Sequence, residues 1–462
     1  MKRSHGGGQT NVPTQRNINA ADIALPAGYR IEAVATDLTF PSGITFDEQD
    51  RPYIVEAGYS YGEVWTEPRL LRLESGNKLT TIATGAKNGP WTGVEFYKGD
   101  FYVAEGGQTE GGKILRIDKD GKFTTLIKDL PSLGDHHTNG PAIHDGYLYF
   151  GIGTATNSGV VGLDNEDFGW LKRHPDFHDV PCGDVTLSGQ NYFSDNPTTP
   201  QTGDRATTGA YVPFGQATLQ GQVIHGQLPC SGAILRIPIT GGAPELVAWG
   251  LRNPFGLCFS PDGRLFVSDN AFDERGSRPV WGSGDVLWEI KTGAWYGWPD
   301  YSAGVAVNSD VEFKPPGQAR PKALLLKKPG EVPTPAAVLG VHASANGLDF
   351  SRSDHFGYQA EAFIALFGDM APGAGKVLSP VGFKVQRVDV KTGIIQDFAA
   401  NKGRKNGPAT WLKKGGLERP VAVRFNRSGD ALYVVDFGIM QMGKAGPLPL
   451  QKTGVIWKIT KI

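Results

Sequence analysis

Six stretches of the chain share one arrangement of apolar and polar positions. Each opens with a Gly- or Pro-containing entry, continues as a short apolar strand, turns, and returns as a second strand that ends at an acidic residue or a glycine. Asp and Gly at the turns favour tight hairpins. The stretches are PSGITFDEQDRPYIVEAG from Pro41, GPWTGVEFYKGDFYVAEGG from Gly89, NGPAIHDGYLYFGIG from Asn139, RNPFGLCFSPDGRLFVSDN from Arg252, NGLDFSRSDHFGYQAEAFIALFG from Asn346 and RPVAVRFNRSGDALYVVDFG from Arg419.

A third apolar strand follows each hairpin, and a more polar fourth strand follows it in most repeats. The third strands are RLLRLESG from Arg69, KILRIDKDG from Lys113, AILRIPITGG from Ala233, DVLWEIKTG from Asp285, FKVQRVDVKTG from Phe383 and GVIWKIT from Gly454. Four antiparallel strands repeated six times predict an all-β fold, a six-bladed β-propeller of four-stranded antiparallel blades. A many-stranded β-sandwich is the alternative, and no long helix is expected.

The ends of the chain predict how the ring closes. The sixth repeat stops at its third strand, and an unmatched strand, YRIEAVATDL from Tyr29, precedes the first repeat. This N-terminal strand would join the C-terminal blade and leave no open edge. We therefore expect a flexible N-terminal tail over residues 1–24 and a single propeller domain over residues 25–462.

One segment does not fit the repeat. Residues from about Thr154 to Ser231 form a long insertion in the third blade, rich in Gly, Pro, Asn and Asp. Long loops in compact folds are usually functional, so we expect this insertion to cover one face of the ring. Cys182 and Cys230 stand near its two ends, where a disulfide would pin its base, although their spacing alone leaves the pairing open. Cys258 lies in an apolar strand and is expected to be a buried free thiol.

Composition and charge narrow the class of partner. The net charge of −1 and the pI near 6.8 give no reason to expect nucleic acid or an anionic membrane as a partner. No apolar run reaches the length of a membrane span. The polar start, Met-Lys-Arg-Ser-His, lacks an apolar leader core, which fits either a cytosolic protein or one whose leader has been removed.

Polar residues gather where the innermost strand of each blade begins. In a propeller these strands line the central channel, so their entry residues converge at one mouth. Arginines, asparagines and histidines there suit a ligand site with charge-assisted donors, although Asn88-Gly89 is also an ordinary turn dipeptide. The entry segments are Asn88-Gly89, His136 to Asn139, Arg252-Asn253, His342 to Asn346 and Glu418-Arg419.

Several motifs resemble one family. GLRNPFGLCFSPDGRLFVSD followed by YGWPD, the opening LPAGYRIEAVATDLTFPSGITF, and HTNGPAIHDGYLYFGIG are similar to the soluble quinoprotein glucose dehydrogenase and sorbosone dehydrogenase family. HASANGLDF from His342 and GFKV from Gly382 resemble the sorbosone branch. The resemblance runs from about Leu25 to the end, outside the insertion. It implies a six-bladed enzyme that oxidises a sugar or related alcohol or aldehyde with pyrroloquinoline quinone (PQQ) and calcium.

The resemblance also implies roles for individual residues. His137 matches the general base that takes the hydroxyl proton while hydride passes to the quinone, a task that suits an imidazole. Arg252 and Asn253 match contacts to quinone and substrate oxygens, and Arg419 matches an arginine that binds the cofactor's carboxylates. Asn88 matches a polar cofactor contact that is a glutamine in the glucose enzyme.

The chain departs from the family pattern at two places. The family's quinone-polarising lysine aligns with Pro380 or Val381, so Lys384 or Lys376 would have to replace it. The family's calcium is held by backbone carbonyls, which here would belong to Ala271 and Phe272. The insertion is also unlike the glucose enzyme, so the substrate need not be glucose.

Two other functions fit the same fold. A calcium-dependent lactonase or related hydrolase would use the asparagines Asn88, Asn139, Asn253 and Asn346, because amide oxygens suit a hard cation. A non-catalytic ligand-binding propeller is the other alternative. The dehydrogenase interpretation implies a sugar or alcohol substrate, an external electron acceptor and a periplasmic or secreted location, with the cytoplasm as the alternative. Exposed propeller faces often pair, so a homodimer is left open.

Overall fold

The computed structural model describes residues 13–167, 169–309, 313–314, 317–443 and 446–462. It is a six-bladed β-propeller of four-stranded antiparallel blades, one of which, blade 5, gains a short fifth strand. Each innermost strand contacts the innermost strand of the next blade, and the last contacts the first, so the ring is closed. Among the described residues, no helix is long and apolar enough to cross a membrane.

The N-terminal segment and blade 1 come first in the chain. After a 3-10 helix (Ala20–Asp22), two strands precede the first repeat: β1 (Ile23–Ala24) and β2 (Tyr29–Leu38). Blade 1 comprises β3 (Pro41–Phe46), β4 (Pro52–Glu56), β7 (Arg69–Leu73) and β8 (Leu79–Thr84), and the small hairpin β5 (Tyr59–Ser60) and β6 (Val64–Trp65) extends from it.

Blade 2 follows in the chain, and blade 3 holds the insertion. Blade 2 comprises β9 (Trp91–Tyr97), β10 (Asp100–Glu105), β11 (Gly112–Ile117) and β12 (Phe123–Leu130). Blade 3 comprises β13 (Thr138–His144), β14 (Tyr147–Ile152), β19 (Ala233–Pro238) and β20 (Glu245–Trp249). Between β14 and β19 lie α1 (Leu163–Asp167), α2 (Trp170–Arg173), β15 (Val185–Ser188), β16 (Tyr192–Asp195), β17 (Arg205–Thr208) and β18 (Gln220–Ile224).

Blades 4 to 6 complete the ring. Blade 4 comprises β21 (Pro254–Phe259), β22 (Leu265–Asp269), β23 (Gly284–Glu289) and β26 (Ala337–Val341), with the hairpin β24 (Tyr301–Ser302) and β25 (Val305–Ala306). Blade 5 comprises β27 (Ala345–Phe350), β28 (Ala362–Leu366), β29 (Lys384–Asp389) and β30 (Ile394–Asn401). Blade 6 comprises β31 (Pro420–Phe425), β32 (Ala431–Asp436) and β35 (Gly454–Lys461), with the hairpin β33 (Met440–Gly443) and β34 (Gly446–Pro449).

The blade hairpins follow from local sequence. In blade 2, Lys98 and Gly99 both have positive φ values, 50° and 90°. A two-residue turn of this kind matches the right-handed twist of the flanking strands. β9 alternates between buried and half-buried positions, whereas most of β10 is buried on both faces because it lies between two strands and two neighbouring blades.

The hydrophobic core lies between neighbouring blades rather than in one central mass. Blades 1 and 2, for example, pack through Tyr53, Val55, Val94, Phe101 and Val103. A separate apolar cluster joins the insertion to the loops of blade 4, through residues such as Val185, Tyr211, Phe272, Trp295 and Trp298. The insertion is therefore packed against the ring.

The N-terminal strand β2 pairs antiparallel with β35, the last strand of the chain, and so supplies the outer strand of blade 6. The flexible tail expected over residues 1–24 is wrong for its second half, whereas residues 1–12 lie outside the described residues. The buried Arg16 side chain forms an ion pair with Asp436 and hydrogen bonds to the carbonyls of Thr453 and Gly416 at 2.7 and 2.9 Å. β1 adds a fifth strand to blade 5 by pairing with β30. The segment around Arg16 reads as a tail by hydropathy, but the buried ion pair with Asp436 holds it against blade 6.

The insertion is pinned at its base. Cys182 and Cys230 form a disulfide, which settles the pairing that their spacing left open. Cys258 is the free cysteine, and it is buried as expected.

Candidate functional site

In blades 4 and 6, the start of the channel-lining strand is held by an acidic residue at the end of the second strand of the same blade. Asp269 in blade 4 and Asp436 in blade 6 accept these hydrogen bonds from the backbone. The donors are the N–H groups of Arg252 (3.1 Å) and Asn253 (2.7 Å) to Asp269, and of Glu418 (2.9 Å) and Arg419 (2.8 Å) to Asp436. The acidic strand ends in the repeat therefore fix the backbone from which the channel-mouth side chains project.

His137 lies at the mouth beside β13 and is nearly enclosed, with 7% of its surface exposed. The ring stacks on Tyr61, with centroids 5.5 Å apart, and meets Tyr59 edge-on at 6.1 Å. Gln108 places its amide nitrogen 3.2 Å from Nδ1 of the ring. Burial lowers the pKa of His137 to about 3, so the unliganded imidazole is neutral at physiological pH.

Blades 3 and 4 are joined by a chain of amides at the same level. Asn139 Nδ2 donates to Asn253 Oδ1 at 2.9 Å, and Asn253 Nδ2 donates to Asn270 Oδ1 at 2.8 Å. The Oδ1 atom of Asn139 is buried without a hydrogen-bond partner among the described residues. One amide oxygen of this chain is therefore left for a ligand donor.

Arg252 is buried and almost fully engaged within the protein. Its Nη2 contacts Asp273 Oδ2 and Asn157 Oδ1, both at 2.9 Å, and its Nε donates to the Asn157 carbonyl at 3.0 Å. Its Nη1 donates to the carbonyl of Asn270 at 3.3 Å. Because a guanidinium has five N–H donors, one donor on Nη1 remains for a ligand.

Arg419 contrasts with Arg252. Its Nη1 lies 3.1 to 3.4 Å from the carbonyl oxygens of Phe367, Gly368 and Asp369, but its Nε and Nη2 have no hydrogen-bond partner among the described residues. The guanidinium carbon lies 4.9 Å from the centroid of the Phe367 ring and 5.0 Å from that of Phe383. Burial lowers the pKa of Arg419 to about 10, so it stays cationic. Buried donors without partners are rare and point to a ligand.

Asn88 holds a loop rather than facing the channel with free groups. Its Nδ2 donates to Glu105 and to the Gly111 carbonyl, at 2.7 and 3.1 Å, and its Oδ1 accepts from Thr109 and Glu110, both at 2.8 Å. These four hydrogen bonds fill the capacity of the amide. The turn-like interpretation of Asn88-Gly89 fits this arrangement better than a ligand contact.

Lys384 lies two strands away from the channel, at the start of β29. Its Nζ contacts Asp397 on the outermost strand of blade 5 at 2.8 Å. It also borders a surface pocket of about 310 Å³ with Gln386 and Asn406. Lys376 is exposed. Among the described residues, no hydrogen bond or ion pair joins either lysine side chain to His137, Arg252, Asn253 or Arg419.

Ala271 and Phe272 lie on the loop that follows β22, where the resemblance implies a calcium site. The Ala271 N–H donates to Asp285, and the neighbouring Asn270 carbonyl accepts from Arg252. Asp273, next in the loop, is paired with Arg252 and Arg275. In the described parts of the chain, no group of three or more His, Cys, Asp or Glu side chains could hold a metal ion.

The asparagines that would suit a hydrolase do not form a ring of free oxygens. The oxygens of Asn88 and Asn253 accept hydrogen bonds from within the protein. Asn346 Oδ1 accepts from Ser344 at 3.4 Å. Of these four asparagines, only Asn139 has a side-chain oxygen without a donor among the described residues.

The insertion and the hairpin β5–β6 cover the mouth above His137. The Tyr61 hydroxyl donates to the Asp135 carbonyl at 2.9 Å. Glu63 of the hairpin pairs with Arg173 of α2 at 3.1 Å. Arg275 binds both Asp135 and, in the insertion, Asp164, at 2.6 and 2.7 Å. The entrance is therefore framed by parts of blades 1, 3 and 4 and by the insertion.

Sequence reasoning missed most partners of the site residues. Asn157, Asp273, Gln108 and Tyr61 contact the predicted residues, yet none of them stands at the start of a channel-lining strand. Gln108 had the best local signal, because it follows Glu105 and two glycines in the entry-like run Glu-Gly-Gly-Gln. The insertion, by contrast, has no internal pattern that would single out Asn157.

Comparison with known proteins identifies the fold through solved structures. No family model and no curated protein sequence matches the chain. Solved structures do match over nearly the full length of both chains. They include the holo form of the PQQ domain of pyranose dehydrogenase from Coprinopsis cinerea, with 14% identity, 98% and 99% coverage of this chain and that one, and a TM-score of 0.57.

Two further neighbours agree with the first. The PQQ-bound form of aldose sugar dehydrogenase from Streptomyces coelicolor has 15% identity, 94% and 100% coverage, and a TM-score of 0.52. A calcium structure of a Trichoderma reesei carbohydrate-active enzyme of family AA12 has 16% identity, 98% and 100% coverage, and a TM-score of 0.55. The chain thus has the fold of PQQ-dependent sugar dehydrogenases, as the motifs predicted, and at these identities the likeness establishes the fold.

Proposed function

We propose that the chain is an oxidoreductase that oxidises a sugar or a related alcohol or aldehyde, with PQQ bound at the channel mouth. The observation that carries the proposal is Arg419, a buried cation whose Nε and Nη2 have no partner among the described residues. The fold is that of sugar dehydrogenases, including structures with PQQ bound. An anionic ligand with carboxylates supplies the acceptors that this guanidinium needs.

The donors and acceptors at the mouth fit such a ligand. Arg419 would bind carboxylate oxygens through Nε and Nη2, whose fork matches a carboxylate. Arg252 offers one remaining N–H, and Asn253 offers one on Nδ2, for quinone or substrate oxygens. Asn139 Oδ1 can accept a hydrogen bond from a substrate hydroxyl. PQQ, when bound, supplies the two-electron acceptor.

His137 is the group that would take the proton from the substrate hydroxyl. Its neutral imidazole has a lone pair to accept that proton, but a pKa near 3 makes it a weak base in the unliganded protein. A negative charge close to the ring would favour the protonated imidazole and raise this pKa. The two tyrosines against the ring would exclude water from it.

The Ala271 and Phe272 carbonyls stay a prediction for calcium, because the contacts of this loop involve the groups on either side of them. The Asn270 carbonyl beside Ala271 already accepts from Arg252, and two guanidinium groups neutralise the nearest carboxylate, Asp273. The positive charges of Arg252 and Arg275 would repel a divalent cation that approaches Asp273. We derive no step through a metal.

The cellular setting follows from the same proposal. The Cys182–Cys230 disulfide is typical of oxidising compartments, which supports a periplasmic or secreted location. An external electron acceptor would reoxidise the quinone. The substrate is expected to be a sugar, as the names of the structural neighbours suggest.

The test is a titration of the apo-protein with PQQ, with and without calcium, followed by dye reduction with a panel of aldoses and alcohols. We expect saturable binding and dye reduction. His137→Ala should bind PQQ and lose turnover by about 10²- to 10⁴-fold. His178→Ala, at a half-buried histidine of the insertion, is the matched control. Failure to bind PQQ would overturn the proposal and point to lactone hydrolysis or simple ligand binding.

A further inference from the structure

Gln108 lies against His137 in the most enclosed part of the mouth. Its amide nitrogen is 3.2 Å from Nδ1 and 3.4 Å from Nε2 of the ring, and 1% of the residue is exposed. Among the described residues, no other side chain hydrogen-bonds to this ring. The orientation of the general base therefore depends on one carboxamide.

The hydrogen-bonding needs of the two side chains identify which end of the carboxamide belongs at the ring. A neutral imidazole has one N–H donor and one acceptor nitrogen, whereas an amide NH₂ group can only donate. With the NH₂ group at the ring, the imidazole N–H has no acceptor and Gln108 Oε1 is buried without a partner. A half-turn of the carboxamide exchanges its two ends, so that Oε1 accepts the imidazole N–H, while the NH₂ group moves to the side where Oε1 has no partner.

The backbone around Gln108 is held in place from three sides. Asn88 Oδ1 accepts from the Thr109 hydroxyl and the Glu110 N–H, both at 2.8 Å. Gly107 has a φ of 91°, which favours glycine. A Cβ added to Gly89 would come within 2.7 Å of the backbone nitrogen of Gln108, so this position has room only for glycine. From the insertion, His174 Nε2 lies 3.3 Å from the Gln108 carbonyl oxygen. The loop therefore cannot move away from His137 without breaking these contacts.

We propose that Gln108 is the positioning residue of the general base. Its Oε1 accepts the Nδ1–H of His137, which leaves Nε2 unprotonated and ready to receive the substrate proton. Asn88 acts one step further back, because it anchors the loop that places Gln108. The catalytic meaning of this inference rests on the proposed function, whereas the tautomer of His137 is a property of the unliganded protein.

The first test is the tautomer of His137 in the apo-protein, read from ¹⁵N chemical shifts of its ring and assigned by the signals lost in His137→Ala. We expect wild type to show the Nδ1–H form and no protonation between about pH 5 and pH 8, because burial holds the pKa near 3. Gln108→Ala should show a mixture of tautomers. Gln386→Ala, which removes an amide that bonds Asp397 on the exposed face of blade 5, should leave the ring signals unchanged.

A second variant keeps the size of the side chain and adds a charge. Gln108→Glu places a buried carboxylate at the ring, so protonation of His137 should become measurable at a higher pH than in wild type. Retention of the wild-type melting temperature in this variant shows that the loop still folds. Wild type in the Nε2–H form, or Gln108→Ala with an unchanged tautomer, would overturn the inference.

The kinetic test separates a positioning role from a structural one. In PQQ-loaded protein, Gln108→Ala should lower kcat by about 10- to 100-fold with little change in KM, as for other residues that orient a catalytic histidine. Partial recovery of kcat in Gln108→Asn, which restores the carboxamide on a shorter chain, supports positioning. An unchanged kcat contradicts it. If wild-type protein neither binds PQQ nor turns over, the proposed function fails, and the tautomer measurement still decides this inference.

Discussion

The blade 4 and blade 6 sides of the channel mouth each carry a buried arginine just before the channel-lining strand, two residues before Pro254 in blade 4 and one residue before Pro420 in blade 6. Arg252 and Arg419 both follow the last loop before a channel-lining strand, and an acidic strand end binds the backbone N–H of each. Their side chains differ. Arg252 meets a carboxylate and three further oxygens, whereas Nε and Nη2 of Arg419 meet none among the described residues.

The difference teaches that a place at the channel mouth does not by itself decide what an arginine can bind. Arg252 is neutralised because the insertion supplies Asn157 and the loop after β22 supplies Asp273. It therefore ties three parts of the molecule together. Arg419 is enclosed by two phenylalanine rings and backbone carbonyls. Its Nε and Nη2 therefore have no acceptor among the described residues and can donate to a ligand. A buried cation without partners lowers stability, and such groups mark functional sites.

The largest expected effect is on the blade 4 side. Arg252→Met leaves Asp273 and the Asn157 groups without a main partner, so the free energy of unfolding should fall by about 3–5 kcal/mol. Urea denaturation measures this change. Arg264→Met, which removes only partly exposed ion pairs of the same blade, should cost less than about 1 kcal/mol. Equal losses of unfolding free energy in the two variants would mean that the contacts of Arg252 do not stabilise the fold more than an exposed ion pair does.

Arg419→Met should give the opposite pattern. The unfolding free energy of the apo-protein should stay within about 1 kcal/mol of wild type or rise, because an unpaired buried charge is removed. PQQ affinity should fall by about 10- to 100-fold, since charge-assisted hydrogen bonds are lost. Thermal unfolding and an absorbance titration report the two quantities, with the exposed Arg427→Met as the control. Wild-type affinity in Arg419→Met would remove the contrast between the arginines.

The carboxyl groups beside the two arginines should respond to pH in opposite directions. Burial raises the pKa of Glu418 to about 7 from an ordinary value of 4.5, so its contribution to stability is present below pH 4.5 and is lost as the pH rises through 7. Glu418→Gln should therefore stabilise the protein by about 2–3 kcal/mol at pH 8 and change little at pH 4.

Asp273 provides the matched comparison. Burial alone would raise the pKa of its carboxyl, but Arg252 and Arg275 outweigh burial and hold it below 3.8. The contribution of the Asp273 carboxylate to stability is present above pH 3.8 and is lost as the pH falls through its pKa in the folded protein. Asp273→Asn should thus destabilise the protein at pH 8 and approach wild type in acid. Urea unfolding at both pH values checks the pair, and equal behaviour of the two variants would refute the contrast.

The smallest expected effect concerns the cover on the blade 3 side. Tyr61→Phe removes the hydrogen bond to the Asp135 carbonyl while keeping the ring on His137, so stability should fall by about 0.5–1.5 kcal/mol. Tyr97→Phe, at a half-buried tyrosine of blade 2, is the control for thermal unfolding. A larger loss in Tyr61→Phe would indicate that the hairpin leaves the mouth when this bond is broken.

Much of the candidate site could be located, but not understood, from the sequence. The entry positions of the repeat led directly to His137, Arg252, Asn253 and Arg419, which the structure places at the mouth. The same reasoning also named Asn88, whose amide is filled by Glu105, Gly111, Thr109 and Glu110. Position along a strand says where a side chain starts, and hydrogen-bond saturation depends on which other loops reach it.

The sequence by itself determined the ring. The alternation of apolar strands and Asp- or Gly-containing turns is a local property, repeated six times, and each blade can bury its faces only against its neighbours. The tertiary structure alone decided which buried polar groups are satisfied. Asn157 meets Arg252 from 95 residues away, and Arg16 meets Asp436 from 420 residues away. Such partners are set by the packing of the insertion and the terminus, and no local pattern encodes them.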